Sequence, residues 1–229
     1  MSGSAREEGA IMKIKWIGHA CFAITSSDGT VIITDPYQSG GFGGALAYGP
    51  ITVRPDIVTV SHAHEDHGYV KGVPGKPIVI KDGSPSQAKG IQFEMYKVHH
   101  DTSGGSQRGS NTIICFTLDG VRLCHLGDLG HEIDAATARK IGTVDVLFVP
   151  VGGYFTIDAA AATRVVESLK PRVAIPMHYK TAKCGFPIST VDPFLKGKPN
   201  VERAGISEFA IDNNSLPKDT RIVVLDPAA

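Results

Sequence analysis

Residues 56–67 read DIVTVSHAHEDH, an apolar run that ends in three imidazoles and a carboxylate within six positions. A continuous apolar run of this length is typical of a strand buried on both faces. The polar cluster therefore begins just past a buried strand. His62 and His64, two apart, point the same way if the chain stays extended there, whereas Asp66 and His67 follow a bend and can face a second position nearby. Such a dense set of nitrogen and oxygen donors suits zinc, manganese, iron or nickel. The bland alternative is a solvated polar turn.

The length of 229 residues fits one large domain better than two. Lys and Arg together number 23, as do Asp and Glu, so no global field draws nucleic acid or an anionic membrane. No apolar run approaches a membrane span and no secretory segment follows the N-terminus. Residues 1–11 are small, polar and charged and read as a disordered extension, leaving 12–229 as the folded domain. None of the four cysteines forms a CxxC pair, which excludes a Cys-rich zinc site. If Asp119-Gly120 is a two-residue hairpin turn, Cys115 and Cys124 face each other on neighbouring strands. A disulfide there is one option. Two reduced, buried thiols are favoured because no export signal is visible, and a cytoplasmic location follows.

Short β-branched or aromatic runs at Met12–Ile17, Cys21–Thr25 and Thr30–Thr34 suggest an opening meander. The glycine-rich segment Ser39–Pro50 reads as too flexible for the core, and is either a mobile surface loop or a wall of the site. Further strands are expected at Ile78–Lys81, Gln92–Val98, Thr112–Leu118, Val121–Leu126, Asp145–Val149, Arg172–Pro176 and Ile222–Leu225. Helical spacing covers Glu132–Ile141 and Ala159–Leu169, with Thr156 and Asp158 as candidate N-caps of the second. The total is about twelve strands and three or four helices, one domain of sheets covered by helices.

HxHxDH after a buried strand resembles the signature of the metallo-β-lactamase superfamily. That family's later ligands have counterparts in order: His99-His100, Gly127-Asp128 and Met177-His178, each ending a predicted strand. The segments WIGHACFAI, VIITDPY, HLGDLG and PMHY resemble small hydrolases related to L-ascorbate-6-phosphate lactonase and N-acyl-phosphatidylethanolamine phospholipase D. The resemblance implies an α+β, four-layered αβ/βα sandwich with its site where loops of both sheets meet. It implies a first metal on His62, His64 and His100, with His100 preferred to His99. A second metal would take Asp66, His67 and His178, with Asp128 bridging both. Zinc is the first expectation, with manganese, iron or nickel as alternatives.

Two such ions about 3.5–4 Å apart can share a hydroxide that attacks carbon or phosphorus. Asp66 and Asp128 are then the catalytic carboxylates, Asp66 orienting the hydroxide or taking its proton. The expected activity is hydrolysis of a lactone, ester or related small anionic metabolite. One rival is a phosphodiesterase acting on nucleic acid or phospholipid, and the other is a non-catalytic metal-binding or sensor protein. Asp128 stands where true zinc β-lactamases use a cysteine, so antibiotic hydrolysis is not expected. No nucleic-acid or membrane partner is expected either, and a homo-oligomer stays open because similar proteins often assemble.

Other residues carry two readings. His19 is a contact behind the site or a structural histidine, and Asp35 is an acceptor for a ligand N–H or a turn-forming Asp-Pro. His125 is a donor behind a ligand or a locally satisfied strand residue, His131 begins the following helix, and His99 alternates away from His100. Tyr154, Tyr179, Lys180, Lys183 and Arg108 could reach substrate, or serve as ordinary surface groups.

Overall fold

The computed structural model describes residues 10–229. Most of the extension expected over residues 1–11 therefore lies outside the described residues. In chain order the elements are β1 (Met12–Gly18), β2 (Cys21–Thr25), β3 (Val31–Thr34), β4 (Ile57–Thr59), β5 (Ile78–Ile80), β6 (Ser86–Ala88), β7 (Ile91–His99), β8 (Ser110–Leu118) and β9 (Val121–His125). There follow α1 (Ala135–Ile141), β10 (Val146–Pro150), α2 (Ala159–Leu169), β11 (Val173–Met177), α3 (Asp192–Leu195), β12 (Val201–Arg203), β13 (Glu208–Ile211) and β14 (Arg221–Val224).

The strands form two mixed sheets, ordered β13-β1-β2-β3-β4-β5 and β12-β14-β11-β10-β9-β8-β7-β6. Alternation along the first sheet shows how it is buried on both sides. Phe22, Ile24, Ile32 and Ile57 join the cluster between the sheets, while Cys21, Ala23, Ile33 and Val58 join a second cluster on the outer face. Across the sandwich Phe22 of β2 meets Phe148 of β10 at a ring separation of 4.4 Å. Such a pair adds about 0.5–1.5 kcal/mol beyond its buried area. Strands β10 and β11 pair in parallel and are buried at every residue, as their unbroken apolar sequences require.

The sandwich is the architecture the sequence predicted, but its outer layers differ. Helix α2 packs on β10, with α1 and α3 against α2, so these three helices cover the eight-stranded sheet. The six-stranded sheet is covered instead by irregular chain carrying Leu46, Tyr48, Ile51, Phe186 and Ile188. The glycine-rich segment is thus not excluded from the core: Leu46 and Tyr48 are buried, and the Tyr48 hydroxyl shares a 2.8 Å hydrogen bond with Thr181. No described helix is long and apolar enough to cross a membrane.

Local signals were largely correct. Asp119 and Gly120 both take positive φ in a hairpin that pairs Cys115 with Cys124, and all four cysteines are free and buried. Asp158 caps α2 by accepting the Ala161 N–H at 2.8 Å. Helix α1 starts later than its spacing suggested, because the Asp134 side chain accepts the Thr137 N–H and caps it there. His131 therefore does not begin that helix. Its Nδ1–H donates to the Glu132 carbonyl while Nε2 accepts the His99 N–H.

Candidate metal centre

Six strand ends converge at one edge of the sandwich. From the first sheet, β1 leads to His19, β3 to Asp35 and β4 to residues 61–67. From the second, β7 leads to His100, β9 to Asp128 and β11 to His178. Functional groups gather at carboxyl ends of strands because each strand fixes where its following loop begins.

Apart from a third grouping of Asp35 with His62 and His67, whose Asp35 is occupied by Ser61 and His67, the side chains sort into two donor sets. One holds His62, His64 and His100, and the other His19, Asp66, His67 and His178, with donor atoms within 4.8 Å of one another in each. Asp128 lies between them. Its Oδ2 is 3.0 Å from His100 Nε2 and 3.9 Å from His62 Nε2, while Oδ1 is 3.0 Å from His67 Nε2 and 3.4 Å from His178 Nε2. One short carboxylate thus turns an oxygen to each set. All seven residues put forward as ligands come together here, His100 buried and its neighbour His99 exposed. His19 joins the second set through a 3.3 Å contact of its Nε2 with Asp66 Oδ2.

The donor set fits metal ions by an internal criterion. Buried polar atoms normally find partners, yet His67 Nε2, Asp128 Oδ1 and both ring nitrogens of His178 lack a hydrogen bond. His67 Nε2 and Asp128 Oδ1 are close but misaligned. A cation among these donors would satisfy the acceptor atoms left unpaired there.

Asp35 sets the histidine tautomers. It accepts the Ser61 N–H at 2.8 Å, the Ser61 hydroxyl at 2.6 Å and His67 Nδ1–H at 2.9 Å. With its one proton donated to Asp35, Ser61 Oγ accepts from His62 Nδ1–H at 3.0 Å. His62 therefore keeps its lone pair on Nε2, set against His64 Nδ1 at 3.0 Å, and His67, once it gives up its Nε2 proton, offers Nε2 to the other set. The second reading of Asp35, a turn-former only, is too small for what it does. His125 is structural: Nε2–H donates to the Ala20 carbonyl at 2.9 Å, and Nδ1 accepts the Gly127 N–H at 3.1 Å. Asn111 accepts the Asp128 N–H at 3.1 Å. Gly127 is required there, because at φ 54° a Cβ would stand 2.3 Å from Asn111 Oδ1.

Strain concentrates at the same edge. His19, Asp35 and His178 all hold positive φ, at 54°, 38° and 51°. Each such residue costs on the order of 1–3 kcal/mol and persists only where its surroundings fix it. The fixing contacts are visible: the His19 carbonyl accepts both Trp16 Nε1–H at 3.0 Å and the His178 N–H at 3.2 Å.

Burial, then the charge on His67, push His62 down to about 3. Burial likewise lowers His178 to about 3, so both are neutral imidazoles near neutral pH, the form that ligates metal. Burial alone would raise Asp128, but His178, His67 and His100 hold it well below the ordinary carboxylate range. His67 moves the other way: burial opposes its charge, yet Asp128, Asp66 and Asp35 raise it well above a free imidazole. A site whose field holds an extra proton there is a site that favours cations.

The centre opens into a cleft of about 540 Å³ with His64, Asp66, His100 and Asp128 on its floor. Phe42, Phe155 and Phe186 supply an apolar wall, and Gln107 and Arg108 a polar rim. The glycine-rich segment thus contributes a wall through Phe42. Asp101, next to His100, received no role from sequence. Its buried carboxylate accepts the N–H groups of Ser103, Gly105, Gln107 and Arg108 at 2.7–3.0 Å, which fixes the rim loop. The Asx-turn composition of DTSGGSQRG was the available signal. Other expected contacts do not reach this cleft. Tyr179 is buried against Trp16, Tyr154 is exposed beside the wall, Lys180 donates to the Phe186 carbonyl, and Lys183 lines a separate groove.

A profile described as a beta-lactamase superfamily domain matches residues 13–178. A UPF0173 metal-dependent hydrolase of Thermococcus kodakarensis is 32% identical over 197 residues, spanning 75% of this chain and 86% of that protein. One from Methanopyrus kandleri is 27% identical over 244 residues, spanning 94% and 97%. A Thermotoga maritima structure, described as a proposed Zn-dependent hydrolase of the metallo-beta-lactamase superfamily, superposes with a TM-score of 0.75. It is 36% identical, with 93% of this chain and 98% of that chain covered.

Proposed function

The chain belongs to the beta-lactamase superfamily, and within it to the UPF0173 metal-dependent hydrolases, and on that premise we propose that it uses two divalent cations to hydrolyse a small anionic lactone or ester. Hydrolysis with a metal follows from the family, while the paired site and the substrate class are our own reading.

One observation carries the paired site: the two oxygens of Asp128 face separate donor sets. His62, His64 and His100 would hold one cation and Asp66, His67 and His178 the other, with His19 beside Asp66. Zinc is our first assignment, with manganese, iron or nickel compatible with the same donors. Bound there, such ions supply a Lewis acid and lower the pKa of water toward neutrality.

The protein's own groups supply position and proton handling. His19 steadies Asp66 Oδ2 at 3.3 Å, and Asp66 borders the cleft, where its carboxylate can orient an attacking water or accept a proton. Asp128 keeps the two donor sets in register. The three phenylalanines take the carbon skeleton of the substrate, and Arg108 on the rim takes its anionic part. The likeness of WIGHACFAI and PMHY to L-ascorbate-6-phosphate lactonase supports a lactone as the first substrate to try. A cleft of this size suits a small molecule rather than a nucleic acid or membrane partner, and four free thiols favour a cytoplasmic setting.

The test is metal content by inductively coupled plasma mass spectrometry on the wild type and Asp128→Ala, with a lactone, ester and phosphodiester screen under the metal found. We expect about two ions per wild-type chain and a sharp fall in the variant. Fewer than about a tenth of an ion per chain, even after reconstitution with zinc or manganese, would sink the paired site. Metal without any turnover would favour a sensor, and cleavage of bis-p-nitrophenyl phosphate alone would move the chemistry to phosphorus.

A further inference from the structure

Among the described residues, Phe42 and Tyr154 are the only exposed Phe, Tyr or Trp side chains. Both stand at the metal cleft, Phe42 in its wall and Tyr154 stacked on the wall residue Phe155. Each also holds a left-handed backbone, with φ 54° at Phe42 and 63° at Tyr154. For a bulky side chain that conformation is an outlier, and it persists only where its surroundings fix it. Apolar exposure and backbone strain thus fall on the same two residues, beside the proposed chemistry.

The surroundings that fix Phe42 belong to a second loop. The Ala47 N–H donates to the Lys183 carbonyl at 2.8 Å and the Gly185 N–H to the Ala45 carbonyl at 2.6 Å. A Cβ on Gly185 would stand 3.1 Å from Ala45 Cα, so the glycine lets the two backbones close and sets Phe186 beside Phe42. The rings of Phe42 and Phe186 meet edge-on at 5.3 Å, those of Phe186 and Phe155 at 5.5 Å, and those of Phe155 and Tyr154 at 4.7 Å. An aromatic row drawn from three loops therefore runs along one side of the cleft. It reaches the metal centre where Phe186 lies edge-on to His19 at 5.7 Å. Arg108 lies over the Phe155 ring at 5.7 Å, so a cation borders the row.

Resting on the hydrolase reading above, we infer that the aromatic row is a subsite for an aromatic ring carried by the substrate, with Phe42 as its specificity-determining residue. The substrate class becomes a small aryl-substituted ester or lactone with an anionic group. Its ring lies along Phe42, Phe155 and Phe186, its anion reaches Arg108, and its acyl carbon faces Asp128. A ring added beside Phe42 and Phe155 continues their edge-to-face packing, a preference that an alkyl chain does not share. A polyhydroxylated sugar would instead set hydroxyls against phenyl faces without partners, which burial penalises. Outside the proposed ligands the cleft offers three polar side chains, Glu65, Gln107 and Arg108, and its remaining wall is apolar.

Isothermal titration of phenylacetate, cyclohexylacetate, acetate and gluconate into the metal-loaded protein tests this, comparing wild type with Phe42→Ala and Phe42→Tyr. Phe42 is exposed, so the fold should survive both changes, and unchanged metal content checks that it has. We expect phenylacetate to bind at least about thirtyfold tighter than acetate, Phe42→Ala to lose at least about fivefold of that preference, and Phe42→Tyr to keep it. Equal or undetectable binding of phenylacetate and acetate would overturn the subsite, as would a preference that Phe42→Ala leaves intact. Cyclohexylacetate binding as tightly as phenylacetate would overturn the aromatic assignment in favour of any apolar group. Gluconate binding tightest would overturn it in favour of a sugar acid. The readout involves no turnover. An active hydrolase without the ring preference therefore refutes the subsite alone, whereas a Phe42-dependent preference in a protein that cleaves no ester refutes the hydrolase reading alone.

Discussion

Asp35 uses its carboxylate on partners that serve both donor sets, His67 directly and His62 through Ser61. Removing an acceptor behind a metal-bound imidazole costs about 10–100-fold in metal affinity. Because one residue serves two sets, Asp35→Ala should weaken both ions by that factor, and Asp35→Asn, which still accepts at one oxygen, by less. Competition with a chromophoric chelator measures it, and wild-type affinity at both sites in Asp35→Ala would refute the relay. The same residue marks where sequence reading stopped. His62, His64, Asp66 and His67 are legible because they lie within six positions and their chemistry is local. Asp35 and His19 stayed ambiguous because their partners lie 32 and 47 residues away, a pairing that only the closed sandwich creates.

At the scale of elements, the loop between β7 and β8 is held by one side chain. Asp101 accepts four backbone N–H groups, and although its burial opposes the charge, those bonds hold its carboxyl down to about 2 from 3.8. A carboxylate with a lowered folded pKa stabilises above its unfolded value and loses that contribution as pH falls through the folded one. Acid should therefore loosen this loop between roughly pH 4 and 2. Asp101→Ala should do so at neutral pH, speeding amide exchange at Ser103, Gly105, Gln107 and Arg108. Metal content should stay near wild type while substrate KM rises, since Gln107 and Arg108 lose their anchor and the seven proposed ligands do not. Unchanged exchange at these amides would refute the anchoring role. Long apolar runs such as Asp145–Val149 were readable as strands because parallel pairing buries both faces. The misses were β6, β12 and β13, strands of three or four residues, partly exposed and without an apolar run to signal them. The cover over the first sheet was missed for a related reason. It is irregular chain, and Leu46 and Tyr48 sit among glycines that argued for mobility.

For the whole molecule, the proposed ligands matter because they come from both sheets. His62, His64, Asp66 and His67 follow β4 of one sheet, and His100, Asp128 and His178 follow strands of the other, so each donor set spans the seam between them. Ions bound there clasp the sandwich at one edge and, binding the folded chain far better than the unfolded one, raise its stability. At a free metal concentration about a hundred times Kd each ion adds about 2.7 kcal/mol, so the proposed pair adds about 5.4 kcal/mol, or a Tm rise of roughly 10–20 °C for a chain of this size. Chelation should lower Tm by that much, and zinc should restore it. Asp128→Ala should lose most of the zinc-dependent shift, whereas Phe42→Ala should keep it, since Phe42 lies outside both donor sets. Differential scanning calorimetry with and without chelator decides the matter. A Tm that stays put while mass spectrometry shows the metal gone would mean that the ions do not span the seam, and the donor sets would have to be redrawn within one sheet.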